Sequence, residues 1–271
     1  MPVLSDLEPR EVFAWFERLC AIPHGSHHTK AISDYLVAFA RERNLACRQD
    51  SANNVVIRKA ASAGYENAPV VMLQGHIDMV CEKDADCGKD METEGLDLFV
   101  DGDVIGARGT TLGGDDGIAV AMALAVLDAD DIPHGPLECV FTADEEVGMI
   151  GARALDASDL KAKYLINIDS EEEGVLTVSC AGACRTLCTL PVTRVPFDGE
   201  TLRVRISGLA GGHSGEEIHK GRANANLLLG RALDEMSRAG ALRLIRVSGG
   251  AKDNAIPREA EAVVRTGDAA A

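Results

Sequence analysis

Apolar residues recur at helical spacing near the start of the chain. Val12, Phe13, Trp15, Phe16 and Leu19 share one face, and Pro9 stands ahead of them, where a missing N–H costs least. Ile32, Leu36 and Phe39 repeat the pattern and predict a second helix over 29–43. The period then changes. Short β-branched runs at 54–58 and 70–73 read as strands, and 98–105 is apolar on both sides of Asp101-Gly102, the signature of a hairpin with a type I′ turn. Residues 117–127 are almost all Ala, Val, Leu, Ile and Met, too long a run for a strand, and predict a buried helix. Strands are expected at 137–142, 165–168 and 175–179.

Strands alternating with helices predict an α/β domain over residues 1–181 with a mostly parallel sheet. From about 182 the texture differs. A strand at 202–206, a helix at 223–236 and strands at 242–247 and 260–264 give a β-α-β-β order, which predicts a smaller α+β unit over 182–271.

Composition narrows the functional classes. With 46% hydrophobic and 26% charged residues the chain is globular. Its net charge of −16 repels phosphate backbones, so nucleic acid is not an expected partner, while cations are compatible. No apolar run reaches the ~20 residues of a membrane helix, and no secretory signal is visible, so a cytoplasmic protein is expected. The eight cysteines then read as free thiols. Cys180, Cys184 and Cys188 recur every four residues, but zinc-knuckle spacing is absent.

The chemistry gathers after the predicted strands. His76 and Asp78 stand two apart at the end of one strand, where an extended chain points both to the same side. Gly113-Gly114-Asp115-Asp116-Gly117 opens the apolar helix, Asp144-Glu145-Glu146 follows 137–142, and Asp169 follows 165–168. Taken singly, these read as acidic loops, or for Asp115-Asp116 as a helix cap. Together they set one imidazole and several carboxylates at the strand ends where open α/β sheets bind ligands. That donor set suits a divalent ion such as Zn²⁺, and the number of carboxylates suggests two ions.

These stretches, with Ile22-Pro23-His24, Ala107-Arg108-Gly109-Thr110-Thr111-Leu112-Gly113, Gly211-Gly212-His213-Ser214-Gly215 and Asn254-Ala255-Ile256-Pro257-Arg258, resemble the di-zinc exopeptidases of the aminoacylase, carboxypeptidase and dipeptidase group. The likeness is greatest to the branch that splits Xaa-His dipeptides such as carnosine. It implies a zinc-exopeptidase sheet followed by the beginning of a lid and dimerisation domain. It implies that His76 and Asp169 bind the first zinc, that Asp115 (or, less favoured, Asp116) bridges both ions, and that Glu146 binds the second. It further implies that Asp78 orients His76, that Glu145 is the general base acting on a metal-bridging hydroxide, and that His213 polarises the scissile carbonyl in the site of the other subunit of a homodimer. Aminoacylase or carboxypeptidase activity would use the same ligands. The resemblance further implies a C-terminal return of the catalytic domain bearing a last zinc-binding His. None of the seven His here matches its context. The chain is therefore expected to be C-terminally truncated, and weakly active or inactive on its own.

Overall fold

The computed structural model describes residues 2–170, 172–180, 182, 186–215, 217–252 and 254–267. The chain divides into two compact units, Met1–Cys180 and Ala181–Ala271.

The first unit opens with α1 (Arg10–Cys20) and α2 (Lys30–Glu42), which bury the predicted faces through Trp15, Phe16, Leu19 and Ile32, Leu36, Phe39. Strands β1 (Ala46–Gln49), β2 (Val55–Lys59) and β3 (Val71–His76) follow. Next come a hairpin of β4 (Leu98–Asp101) and β5 (Val104–Ala107), the long helix α3 (Gly114–Asp128), β6 (Leu137–Thr142), a short α4 (Ile150–Ala154) and β7 (Tyr164–Asn167). The five-stranded sheet runs β1-β2-β6-β3-β7. The α/β expectation holds, with a mixed sheet: β6-β3-β7 is parallel, whereas β2 runs antiparallel to both its neighbours, β6 and β1.

Alternation along the strands divides the core. Val55, Ile57, Cys139 and Phe141 face the α1–α3 side, while Val56, Met72 and Val140 face Leu155, Leu160 and Ala162 on the other. α3 is apolar all round, as its buried Val120, Ala121, Leu124 and Leu127 require. It lies close on β3 because residue 75 is glycine. A Cβ there would come within 2.9 Å of the Ala119 Cβ.

Two local expectations are corrected. The hairpin loop is Gly102-Asp103, with Asp101 paired to Val104. Only Gly102 takes a positive φ, so the turn is not type I′. Residues 175–179 form no strand: Leu176 and Val178 are over 90% exposed, and no strand among the described residues pairs with them.

The second unit is a three-stranded antiparallel sheet ordered β8 (Glu200–Ile206), β10 (Ala260–Thr266), β9 (Leu242–Gly249). α5 (Ala225–Ala239) packs on one face. Its core is Ala225, Leu229, Ala260, Ala262 and Val264, and Asn224 caps the helix by accepting the Asn226 and Leu227 N–H groups. No helix among the described residues is long and apolar enough to cross a membrane.

Candidate metal centre

In the parallel part of the sheet β3 lies between β6 and β7, so the C-terminal ends of all three strands emerge on one edge. His76 closes β3, and Asp78 follows two residues on. Asp144, Glu145 and Glu146 follow β6, and Asp169 follows β7. Asp115 and Asp116 enter from the start of α3, where both have non-helical dihedrals, so the regular helix begins at Gly117 as its sequence pattern predicts. The helix-cap reading does not hold. Neither Asp caps α3, and the buried Asp116 accepts the His76 backbone N–H at 3.1 Å instead.

The donor atoms fall into two groups, each within 4.8 Å: His76, Asp116 and Asp169, and His76, Asp115 and Glu146. The four expected ligands, His76, Asp115, Glu146 and Asp169, lie together with Asp116, which joins His76 and Asp169 where the sequence favoured Asp115. His76 is 1% exposed, and its Nδ1 lies 2.9 Å from the Asp78 carbonyl oxygen, which can only accept, so Nδ1 carries a hydrogen. Nε2 lies 3.0 Å from Asp115 Oδ1, also only an acceptor when ionised. With Asp115 ionised, Nε2 carries either a second proton or a cation. A divalent ion with nitrogen and oxygen ligands fits that requirement and offsets the surrounding carboxylates.

The electrostatics agree. Burial disfavours charge on His76, but Asp78, Asp116 and Asp115 outweigh it, and in the metal-free protein the ring is pushed up to about 10. Burial raises Asp116 to about 7; His76 opposes this, while Asp169 and Asp115 add to it. Glu145 is raised first by burial, with His76 opposing and Asp169, Asp78 and Asp115 reinforcing. Glu146 is raised by burial and then by Asp115. Asp78 is held low despite its burial, because His76, the Glu145 N–H and the Ser26 hydroxyl all favour the carboxylate.

Asp78 also ties the centre together. Its Oδ1 accepts the Glu145 N–H at 2.9 Å, and its Oδ2 accepts the Ser26 hydroxyl at 2.8 Å and the Glu146 N–H at 3.3 Å. The His27 N–H reaches Asp144 Oδ1 at 2.6 Å. Sequence reasoning missed Ser26 and this His27 contact. The polar run after Pro23-His24 was their one signal, and nothing in it distinguished a brace from a surface loop.

His213 lies in the second unit. Its Nδ1 accepts the Gly215 N–H at 3.1 Å, so Nε2 bears the ring hydrogen. Glu217 accepts the His213 N–H and pairs with Arg222 and Lys220. Cys20, Cys47, Cys81, Cys87, Cys139, Cys180 and Cys188 are free thiols, while Cys184 and Glu171 lie outside the described residues.

Residues 72–262 match the model of peptidase family M20/M25/M40. The chain is 45% identical over 266 residues to the cytosol non-specific dipeptidase of Escherichia coli (strain K12), covering 97% of this chain and 55% of that protein. The crystal structure of aminoacylhistidine dipeptidase from Vibrio alginolyticus superposes with a TM-score of 0.71 at 39% identity, over 97% of this chain and 54% of the other. A tripeptidase from Staphylococcus aureus shares the fold at 20% identity, with a TM-score of 0.54 over 97% of this chain and 68% of the other. The chain spans about half the length of the first two.

Proposed function

This chain belongs to peptidase family M20/M25/M40, and from that premise we propose that it carries the metal centre and general base of a zinc dipeptidase acting on Xaa-His dipeptides. One observation supports this above the rest: a buried His76, oriented by Asp78, meets Asp115, Asp116, Glu146 and Asp169 beside Glu145, whose proton affinity is raised by burial. His76 Nε2 and Asp169 would hold one zinc and Glu146 the other, with Asp115 between them and Asp116 as the alternative bridge. When bound, such ions supply Lewis acidity toward a peptide carbonyl and acidify a water.

The chain's own groups do the rest. Glu145 takes a proton from the attacking water and returns it to the leaving amine, and its raised proton affinity suits both steps. Two adjacent glutamates divide the work, since one carboxylate cannot serve as ligand and base together. The Asp78 carbonyl fixes the His76 tautomer, and its carboxylate holds the Glu145 and Glu146 backbone. His213 presents Nε2–H, the donor a developing oxyanion needs, and in our reading it acts in the other subunit of a homodimer. A cytoplasmic site of action follows the naming of the Escherichia coli relative.

The test is Glu145→Gln. In a protein extended to the length of these relatives, zinc content should be unchanged, while hydrolysis of carnosine should fall by about 10²–10⁴-fold. Near-normal turnover would remove Glu145 from the role, and faster cleavage of N-acyl amino acids than of dipeptides would move the protein to the aminoacylase reading.

A further inference from the structure

Far from the metal ligands in sequence, the start of β2 carries a polar residue with no solvent to satisfy it. Asn54 is 1% exposed. Its Oδ1 accepts the Ala143 N–H at 3.0 Å, and its Nδ2 donates to the Gly151 carbonyl at 2.9 Å and to Asp50 Oδ2 at 2.7 Å. Asp50 is fixed in turn, with Oδ1 accepting the Ala52 and Asn54 N–H groups. Ala143 follows β6 and Gly151 lies in the first turn of α4, so the two flank the loop that bears Asp144, Glu145 and Glu146.

The loop between them closes on itself. Gly151 N–H donates to Ala143 O, Ile150 N–H to Asp144 O, and both Gly148 and Met149 N–H to Glu145 O. Asp144 and Met149 take positive φ, which non-glycine residues adopt only when their surroundings impose it. The base of the loop is tight enough that a Cβ on Gly151 would lie 2.4 Å from Asn54 Oδ1.

We propose that Asn54 is a positioning residue for the general base and the second metal ligand. Its carboxamide, just ahead of β2, clamps residues 143 and 151 at either side of the loop, while Asp78 holds the Glu145 and Glu146 N–H groups within it. The task needs an acceptor and a donor on one short, rigid group. A carboxylate has the shape but would set lone pairs against the Gly151 carbonyl and Asp50. A hydroxyl can donate and accept but is too short to span both ends. The consequence for metal binding rests on Glu146 being a ligand, whereas the clamp itself does not.

The experiment compares wild type, Asn54→Asp and Asn54→Ser, with Glu146→Gln as reference. Amide exchange in the metal-free chain is read at Met149, Ile150 and Gly151 against Cys139 and Val140 in β6. Both Asn54 variants should lose protection in the loop by about tenfold or more with β6 within twofold, and Asn54→Ser serves if Asn54→Asp does not fold. Zinc titration should show the ion sensitive to Glu146→Gln weakened by roughly 10–100-fold in the Asn54 variants, the range for loss of an outer-shell partner. The other ion should hold within twofold. Unchanged loop exchange, or protection lost equally from β6, overturns the proposal. If Glu146→Gln alters neither ion, the ligand assignment falls, and the exchange data still decide the clamp.

Discussion

Asp78 and Glu217 each brace a histidine, by opposite means. Asp78 is 1% exposed and, apart from His76 itself, is held by uncharged donors: the Ser26 hydroxyl and the Glu145 and Glu146 N–H groups. Glu217 has 27% of its side chain in solvent and is held by the cations of Lys220 and Arg222, with the His213 N–H between them. The contrast extends to the whole of each unit. Of the buried polar and charged side chains among the described residues, Thr266 alone belongs to the second unit. Buried dipoles fix a geometry that salt does not reach, whereas exposed ion pairs are screened by it. The first unit therefore sets its histidine permanently, and the second sets its own conditionally.

The sharpest way to break this contrast is at the braces. Asp78→Asn should weaken zinc binding by about 10–100-fold, because the His76 ring loses its carboxylate neighbour and the loop its anchor. Glu217→Gln should leave zinc affinity within about twofold while amide exchange at Gly215 rises. Competition with a chelator and exchange mass spectrometry read the two effects, and equal losses of affinity would erase the distinction.

A smaller effect separates the units by pH. Glu217 is lowered from 4.5 to about 2, chiefly by Lys220 and then by the His213 N–H. Order that it confers on the His213 loop is present above about 4.5 and lost as pH falls through about 2. His76 in the metal-free protein is raised from 6.5 to about 10. Its contribution is complete below about 6.5 and lost as pH rises through about 10. Acid should loosen the second unit's loop, and alkali the metal-free centre. Zinc should abolish the alkaline loss by taking the proton's place on Nε2. Titration followed by histidine NMR resonances checks both directions.

The smallest expected effect is that of salt. Raising ionic strength from about 0.05 to 0.5 M shortens the Debye length severalfold. It should speed exchange around His213 without changing that of the Glu145 and Glu146 amides.

Much of the fold was legible in the sequence because strand ends announce themselves: an apolar run followed closely by His76, by Asp144-Glu145-Glu146 or by Asp169 gives both the element and the candidate ligand at its end. The helices were read equally well, α1 and α2 from the helical spacing around Phe16 and Leu36, and α3 from an apolar run around Leu124 too long for a strand. What escaped was short or polar. β1 is Ala46-Cys47-Arg48-Gln49, an edge strand with one exposed and three half-buried residues, and α4 has five residues, too few to show a period. Residues 175–179 carried strand composition without a partner, and strand formation depends on the partner. Asn54 read as the polar start of a strand, because its bonds at Ala143 and Gly151 lie some ninety residues downstream. Nothing local marks a carboxamide whose work is done that far away.

The joint between Asn54 and Gly151 also constrains how this protein could drift. A side chain at 151 would meet the Ala143 carbonyl oxygen at 2.3 Å as well as Asn54. Shrinking residue 54 removes only one of those obstacles, since the other is backbone. A lineage can lose Asn54 and later regain it, provided Gly151 stays. A lineage that acquires alanine at 151 finds no repair at 54, and must rebuild the turn around Glu145 before any further change there is tolerated. The two positions form a one-way pair, and a library randomising both should return variants at 54 in company with glycine at 151, and scarcely any the other way round.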